Sequence, residues 1–79
     1  MRKKDKIAIV GGGIGGTAIL EFLLKLQSVE VCYVCDIDAD APAILLAKEN
    51  HIQCGTGGNC NKVLGDLNAD LIFEVTNDA

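Results

Sequence analysis

Aromatic side chains are scarce in this 79-residue chain, which has no tryptophan, one tyrosine and two phenylalanines. Hydrophobic residues nevertheless make up 49% of it, so the core must be built from Ile, Leu, Val and Ala. That composition suits helices laid on a buried sheet better than an aromatic-rich β-sandwich. Proline occurs only at position 42 and histidine only at position 51. No apolar run approaches the roughly 18 residues of a membrane span, so no membrane association is expected. The start MRKKDKIAIVGGG reaches glycine too soon for a signal peptide's apolar stretch and cleavage site. A cytoplasmic location is expected, and the length allows one domain at most.

Positive charge is scarce beyond the start. Arg2, Lys3, Lys4 and Lys6 are four of the seven basic residues. From Ile7 onward three basic residues face ten acidic ones, a difference of −7. Such a body repels phosphate backbones, which argues against a nucleic acid partner. The basic start reads as a solvated tail.

Cysteine is present four times, at positions 32, 35, 54 and 60. A disulfide framework does not suit a cytoplasmic chain. The C-x-x-C spacing of Cys32 and Cys35 raises zinc as an alternative. However, VEVCYVCD reads as a strand, and residues three apart on a regular strand point to opposite faces. Cys54 and Cys60 are separated by five residues. No metal site is expected, and the cysteines read as small apolar packing residues.

The rest of the chain alternates. Lys6–Val10 reads as a buried strand and Ile14–Gln27 as a helix with a wide apolar face. Val29–Cys35 reads as a second strand. Asp38 or Asp40 is expected to cap a helix running to Glu49, with Pro42 in its first turn. Asn50 is a candidate left-handed stop. Ile52–Cys54 reads as a third strand, GTGGN as a loop, Asn61–Leu67 as a short helix interrupted by Gly65, and Asp70–Val75 as a fourth strand. Strands alternating with helices predict a doubly wound, Rossmann-like parallel sheet in the order 3-2-1-4.

The stretch IAIVGGGIGG carries the functional signal. Gly11, Gly13 and Gly16 fit G-x-G-x-x-G between a strand and a helix. The first glycine allows the sharp turn, and the second lets a pyrophosphate lie on bare backbone. The third lets the helix pack closely on the strand. The N–H groups and the helix dipole then face the phosphates. Asp36 lies 20 residues after Gly16, where a carboxylate can accept hydrogen bonds from a ribose diol. A carboxylate there repels a 2′-phosphate, and the lone arginine, Arg2, is remote in sequence. NAD is therefore the expected cofactor, ahead of NADP.

IAIVGGGIGG also resembles the opening of FAD-dependent monooxygenases and related flavoproteins, which would imply FAD. That resemblance covers about the first 36 residues. VCDIDADAPAILLAKENHI and ADLIFEVTND resemble the N-terminal nucleotide-binding domain of NAD(P)-dependent dehydrogenases of the homoserine or aspartate dehydrogenase and glucose-fructose oxidoreductase kind. This second resemblance spans nearly the whole chain. It implies cofactor contacts from Gly11, Gly13, Ile14, Gly15 and Gly16 in the loop, and from Asp36 and Ile37 on the adenosine side. It also implies contacts from Thr76 and Asn77 after the fourth strand. Three consecutive glycines exceed what that family needs. The run DIDADAPAILLA with EVTND is similar, too, to Rossmann-like segments ahead of sensory modules in bacterial signalling proteins, which would imply nucleotide sensing.

No catalytic residue is expected in this chain. His51 and Lys62 have no partner whose spacing suggests acid–base work. A full dinucleotide fold would continue into a second half, so a domain of a longer protein is expected. The apolar run DLIFEV at a sheet edge invites pairing with another chain, and a homo-oligomer near Asp70–Val75 is expected.

Overall fold

The computed structural model describes residues 4–11, 13–57 and 68–75. The elements run β1 (Asp5–Val10), α1 (Ile14–Leu24), β2 (Val29–Asp36), α2 (Pro42–Glu49), β3 (Gln53–Thr56) and β4 (Leu71–Glu74). All strand pairs are parallel, and the sheet order is β3-β2-β1-β4. This is the expected 3-2-1-4 order of a Rossmann-like α/β fold. The expected helix Asn61–Leu67, together with Cys60, Lys62, Thr76 and Asn77, lies outside the described residues.

Strand alternation sorts the core into two clusters. Ile7 and Ile9 of β1 join Val31 and Val34 of β2 on one face. Leu20 and Leu23 of α1, with Ala43, Ile44 and Ala47 of α2, cover that face. Full burial of side chains such as Ile9, Leu20 and Ile44 stabilises the fold by roughly 1.5–3 kcal/mol each. Ala8 and Val10 turn the other way, into a second cluster with Tyr33 and Cys35. The two middle strands are thus buried on both faces, which is why their sequences are apolar without a polar alternation.

A bulge interrupts β2. Ile7 pairs with Val31 but Ala8 pairs with Tyr33, so Cys32 is the extra residue. The bulge corrects the expectation that Cys32 and Cys35 face opposite sides, because both pack against the cluster of Ala8, Val10 and Tyr33. A second correction concerns their chemistry. Cys35 is disulfide-bonded, whereas Cys32 and Cys54 are free thiols. The cysteines are therefore not all plain packing residues. Sequence spacing could not reveal this, because a disulfide depends on where the fold brings two thiols together.

The helix ends shift from their expected places. α1 stops at Leu24, where Lys25 and Leu26 donate to the Phe22 and Leu23 carbonyls and tighten the last turn. Its apolar face is only partly used, since Phe22, Leu24 and Leu26 remain exposed. α2 begins at Pro42 with Ala41 as its N-cap and no side-chain cap, so neither Asp38 nor Asp40 caps it. Asp38 instead accepts the Asp40 N–H at 2.9 Å, which closes the turn before the helix. At the far end the left-handed residue is His51 (φ 59), not Asn50 (φ −101). His51 donates to the Lys48 carbonyl and Ile52 to the Ala47 carbonyl, the pair of bonds that closes a Schellman motif. β3 also reaches further than expected, taking in Gly55 and Thr56. Gly55 has to be glycine, because a Cβ there would fall on the Tyr33 hydroxyl.

Candidate functional site

In a parallel sheet every strand ends on the same side. The turns after β1 and β2 therefore share the carboxyl edge, where open α/β sheets take their ligands. Three bonds hold that edge together. The Gly11 N–H donates to the Cys35 carbonyl at 2.8 Å, joining the glycine turn to the end of β2. Gly57 donates to the Ile37 carbonyl at 3.1 Å, and Val75 to the Val10 carbonyl at 2.7 Å. The sheet order thus brings Gly11 and Asp36, 25 residues apart in sequence, to neighbouring positions.

The glycines divide by what surrounds them. Gly11 has φ 108, a conformation that side-chain-bearing residues rarely adopt, and it makes the sharp exit from β1. Gly16 is buried in the first turn of α1, and a Cβ there would overlap the Gly11 carbonyl. Close approach of the helix to the strand turn requires that glycine. Gly15 sits beside Val75, whose Cγ1 would lie 3.2 Å from an added Cβ. Gly15, one of two glycines beyond the minimal motif, thus has a packing partner at the end of β4. Gly13 differs from all three. Among the described residues a Cβ there would meet nothing within 4 Å, and its φ of −78 suits any residue. The described residues give no packing reason for glycine at position 13.

Gly13 is also the N-cap of α1, and no side chain caps that helix. The first turn contains no acidic residue, and Thr17 turns its hydroxyl back to donate to the Gly13 carbonyl at 2.7 Å. An uncapped helix start with no acid in its first turn presents its positive dipole end without a charged partner from that turn. Ile14, next in the chain, is 90% exposed.

Asp36 is the last residue of β2 and is half-buried. Its Oδ1 accepts the Asp38 N–H at 2.8 Å, which fixes the carboxylate at the strand end. Ile37 follows, 81% exposed, with its carbonyl held by Gly57. The structure therefore brings Gly11, Gly13, Ile14, Gly15, Gly16, Asp36 and Ile37 to one edge of the sheet. Thr76 and Asn77, also expected there, lie outside the described residues. The role of Val75 against Gly15 was not visible in the sequence, where the only signal for it was that Gly15 is a glycine the motif does not require.

His51 lies at the C-terminal end of α2, which runs back along the sheet, and so belongs to the opposite edge. Among the described residues, no group of three or more His, Cys, Asp or Glu is placed to hold a metal ion. No helix among them is long and apolar enough to cross a membrane. Burial pushes the Cys32 and Cys54 thiols and the Tyr33 hydroxyl up from their ordinary values, so all three stay protonated near neutrality.

No family model and no curated protein matches the chain. Among solved structures, the chain is similar to the phosphoribosylglycinamide formyltransferase (purN) of Coxiella burnetii, solved in complex with CHES. The TM-score is 0.75 at 18% sequence identity, and the likeness covers 98% of this chain and 43% of that one. The likeness establishes the class, a Rossmann-like α/β fold. The chain spans less than half the length of that formyltransferase.

Proposed function

We propose that this chain is a dinucleotide-binding domain that prefers NAD to NADP and serves as the cofactor module of an oxidoreductase. The observation that carries the reading is Gly13. The described residues give it no packing reason to be bare, and it stands at an uncapped helix start on the same edge as Asp36. A pyrophosphate laid on Gly13 would meet the first-turn N–H groups of α1. The Asp36 carboxylate would receive the ribose hydroxyls and repel a 2′-phosphate. Exposed Ile37 would offer an apolar surface to the adenine.

Calorimetric titration of the folded chain with NAD, NADH, NADP and FAD at low salt tests the reading. Saturable binding of NAD or NADH, with NADP weaker, is the expected outcome. Tight FAD binding would replace the nicotinamide reading with a flavin one. Failure of all four to bind would remove the site assignment.

A further inference from the structure

The glycine turn is held from both strands that flank β1. On the β2 side the Gly11 N–H donates to the Cys35 carbonyl at 2.8 Å. On the β4 side a single residue makes two contacts. The Val75 N–H donates at 2.7 Å to the carbonyl of Val10, the last residue of β1. The Val75 side chain is half-buried against the core cluster that includes Ile7 and Ile9, and it stands beside Gly15 in the first turn of α1. Val75 thus meets the chain on both sides of the sharp exit that Gly11 makes with φ 108.

We infer that Val75 is a positioning residue for the ligand turn, setting the place of the α1 first-turn backbone and, through it, the affinity for the bound phosphates. The inference rests on the nucleotide reading of the same turn. The first N–H groups of a helix have no acceptor within it, so their aim follows whatever holds the first turn. No side chain caps α1. At Gly15 the holding group among the described residues is the Val75 methyl. Val75 has no hydrogen-bonding side chain, so its effect on a ligand passes through Gly15.

The residue type at position 15 fits this account. Gly15 is helical, and alanine is the stronger helix former. A Cβ at Gly15 would lie 3.2 Å from Val75 Cγ1, closer than ordinary van der Waals contact. Either the valine or the helix start would have to give way. Glycine at 15 and valine at 75 are matched in size, and a change at one is felt at the other.

Titration with NAD, run beside thermal melting, tests this on the wild-type chain, Val75→Ala, Gly15→Ala and the double variant. Val75→Ala keeps the backbone bond to Val10 and removes the methyls. It should weaken NAD binding about fivefold, while Val75→Thr, which keeps the branched shape, should stay within about twofold of wild type. Gly15→Ala should weaken binding about fivefold in the wild-type background and less than about twofold in the Val75→Ala background. A residue that acts on stability alone would move the melts and leave the affinities of folded variants equal. Circular dichroism identifies the folded variants. A folded Val75→Ala that binds as tightly as wild type would overturn the inference. So would a Gly15→Ala penalty of equal size in both backgrounds. Should Val75→Ala fail to fold, a folded Gly15→Ala with wild-type affinity would overturn it. Absence of NAD binding by the wild-type chain would remove the nucleotide reading itself, and this inference with it.

Discussion

The starts of α1 and α2 sit side by side on one edge of the sheet, and they differ in almost every respect. Both lack a side-chain cap. α1 opens with Gly13-Ile14-Gly15-Gly16 and no acid in its first turn. α2 opens with Pro42, whose ring needs no hydrogen-bond acceptor, and follows Asp36, Asp38 and Asp40. One start carries glycines and no acid in its first turn, while the other follows three carboxylates. A ligand with phosphate at one end and a sugar diol beside it is polarised in the same sense. The edge thus has a direction, set by which residue types precede each helix.

The largest effect on this contrast should come from Gly16→Ala. Its methyl group would overlap the Gly11 carbonyl and force α1 away from β1. A loss of roughly 3 kcal/mol is expected, large against the margin of so small a domain. Thermal melting checks it, and an unchanged midpoint would mean that the helix does not depend on this close approach. Gly13→Val, three residues earlier, should spare the fold, because an added Cβ meets none of the described residues within 4 Å. Titration should show nucleotide affinity down at least about tenfold while the melt moves little. Equal affinity would dissociate Gly13 from the phosphate.

A smaller effect is expected on the α2 side. Asp36→Asn keeps an oxygen able to accept the Asp38 N–H and removes the charge. The preference for NAD over NADP should narrow by about tenfold, with total affinity for NAD falling less. An unaltered ratio would mean that the acidic side of the edge does not read the ribose.

The smallest effect separates the buried sheet from both helix starts. Burial raises the folded-state values of Tyr33, Cys32 and Cys54 above their ordinary values of 10.0, 9.0 and 9.0. The neutral forms are the ones the fold favours. The stability they contribute is complete below pH of about 9 and is lost as pH rises through the raised values. Urea unfolding between pH 7 and 10.5 should therefore show a flat region and then a decline. A rise in stability over that range would contradict the assignment of these groups to the interior.

Much of the fold was legible because the strand–helix alternation and the glycine spacing are local signals with fixed mechanical meanings. The order of four strands follows from them. Other features depend on three-dimensional encounters. The Cys32 bulge arises from the register between β1 and β2, which no spacing within β2 reveals. Asp38 had two possible donors, and the turn rather than the helix took it. Asn50 and His51 competed for the left-handed position, and the bonds from His51 and Ile52 decided it by one residue. Glycine is silent about its reason. Gly13, Gly15 and Gly16 look alike in the sequence, and only their neighbours distinguish open space, a valine methyl and a carbonyl.

The placement of Val75 beside Gly15 ties the end of β4 to the first turn of α1. Val75 hangs from the end of the outermost strand by its bond to Val10, and its methyl group rests against the first turn of α1. Whatever shifts the rim of the sheet must displace that methyl, and whatever tightens the glycine turn must press back on it. Such influence is necessarily mutual. A ligand that drew the glycine turn together would press on that methyl and, through the bond from Val75 to Val10, on the end of β4.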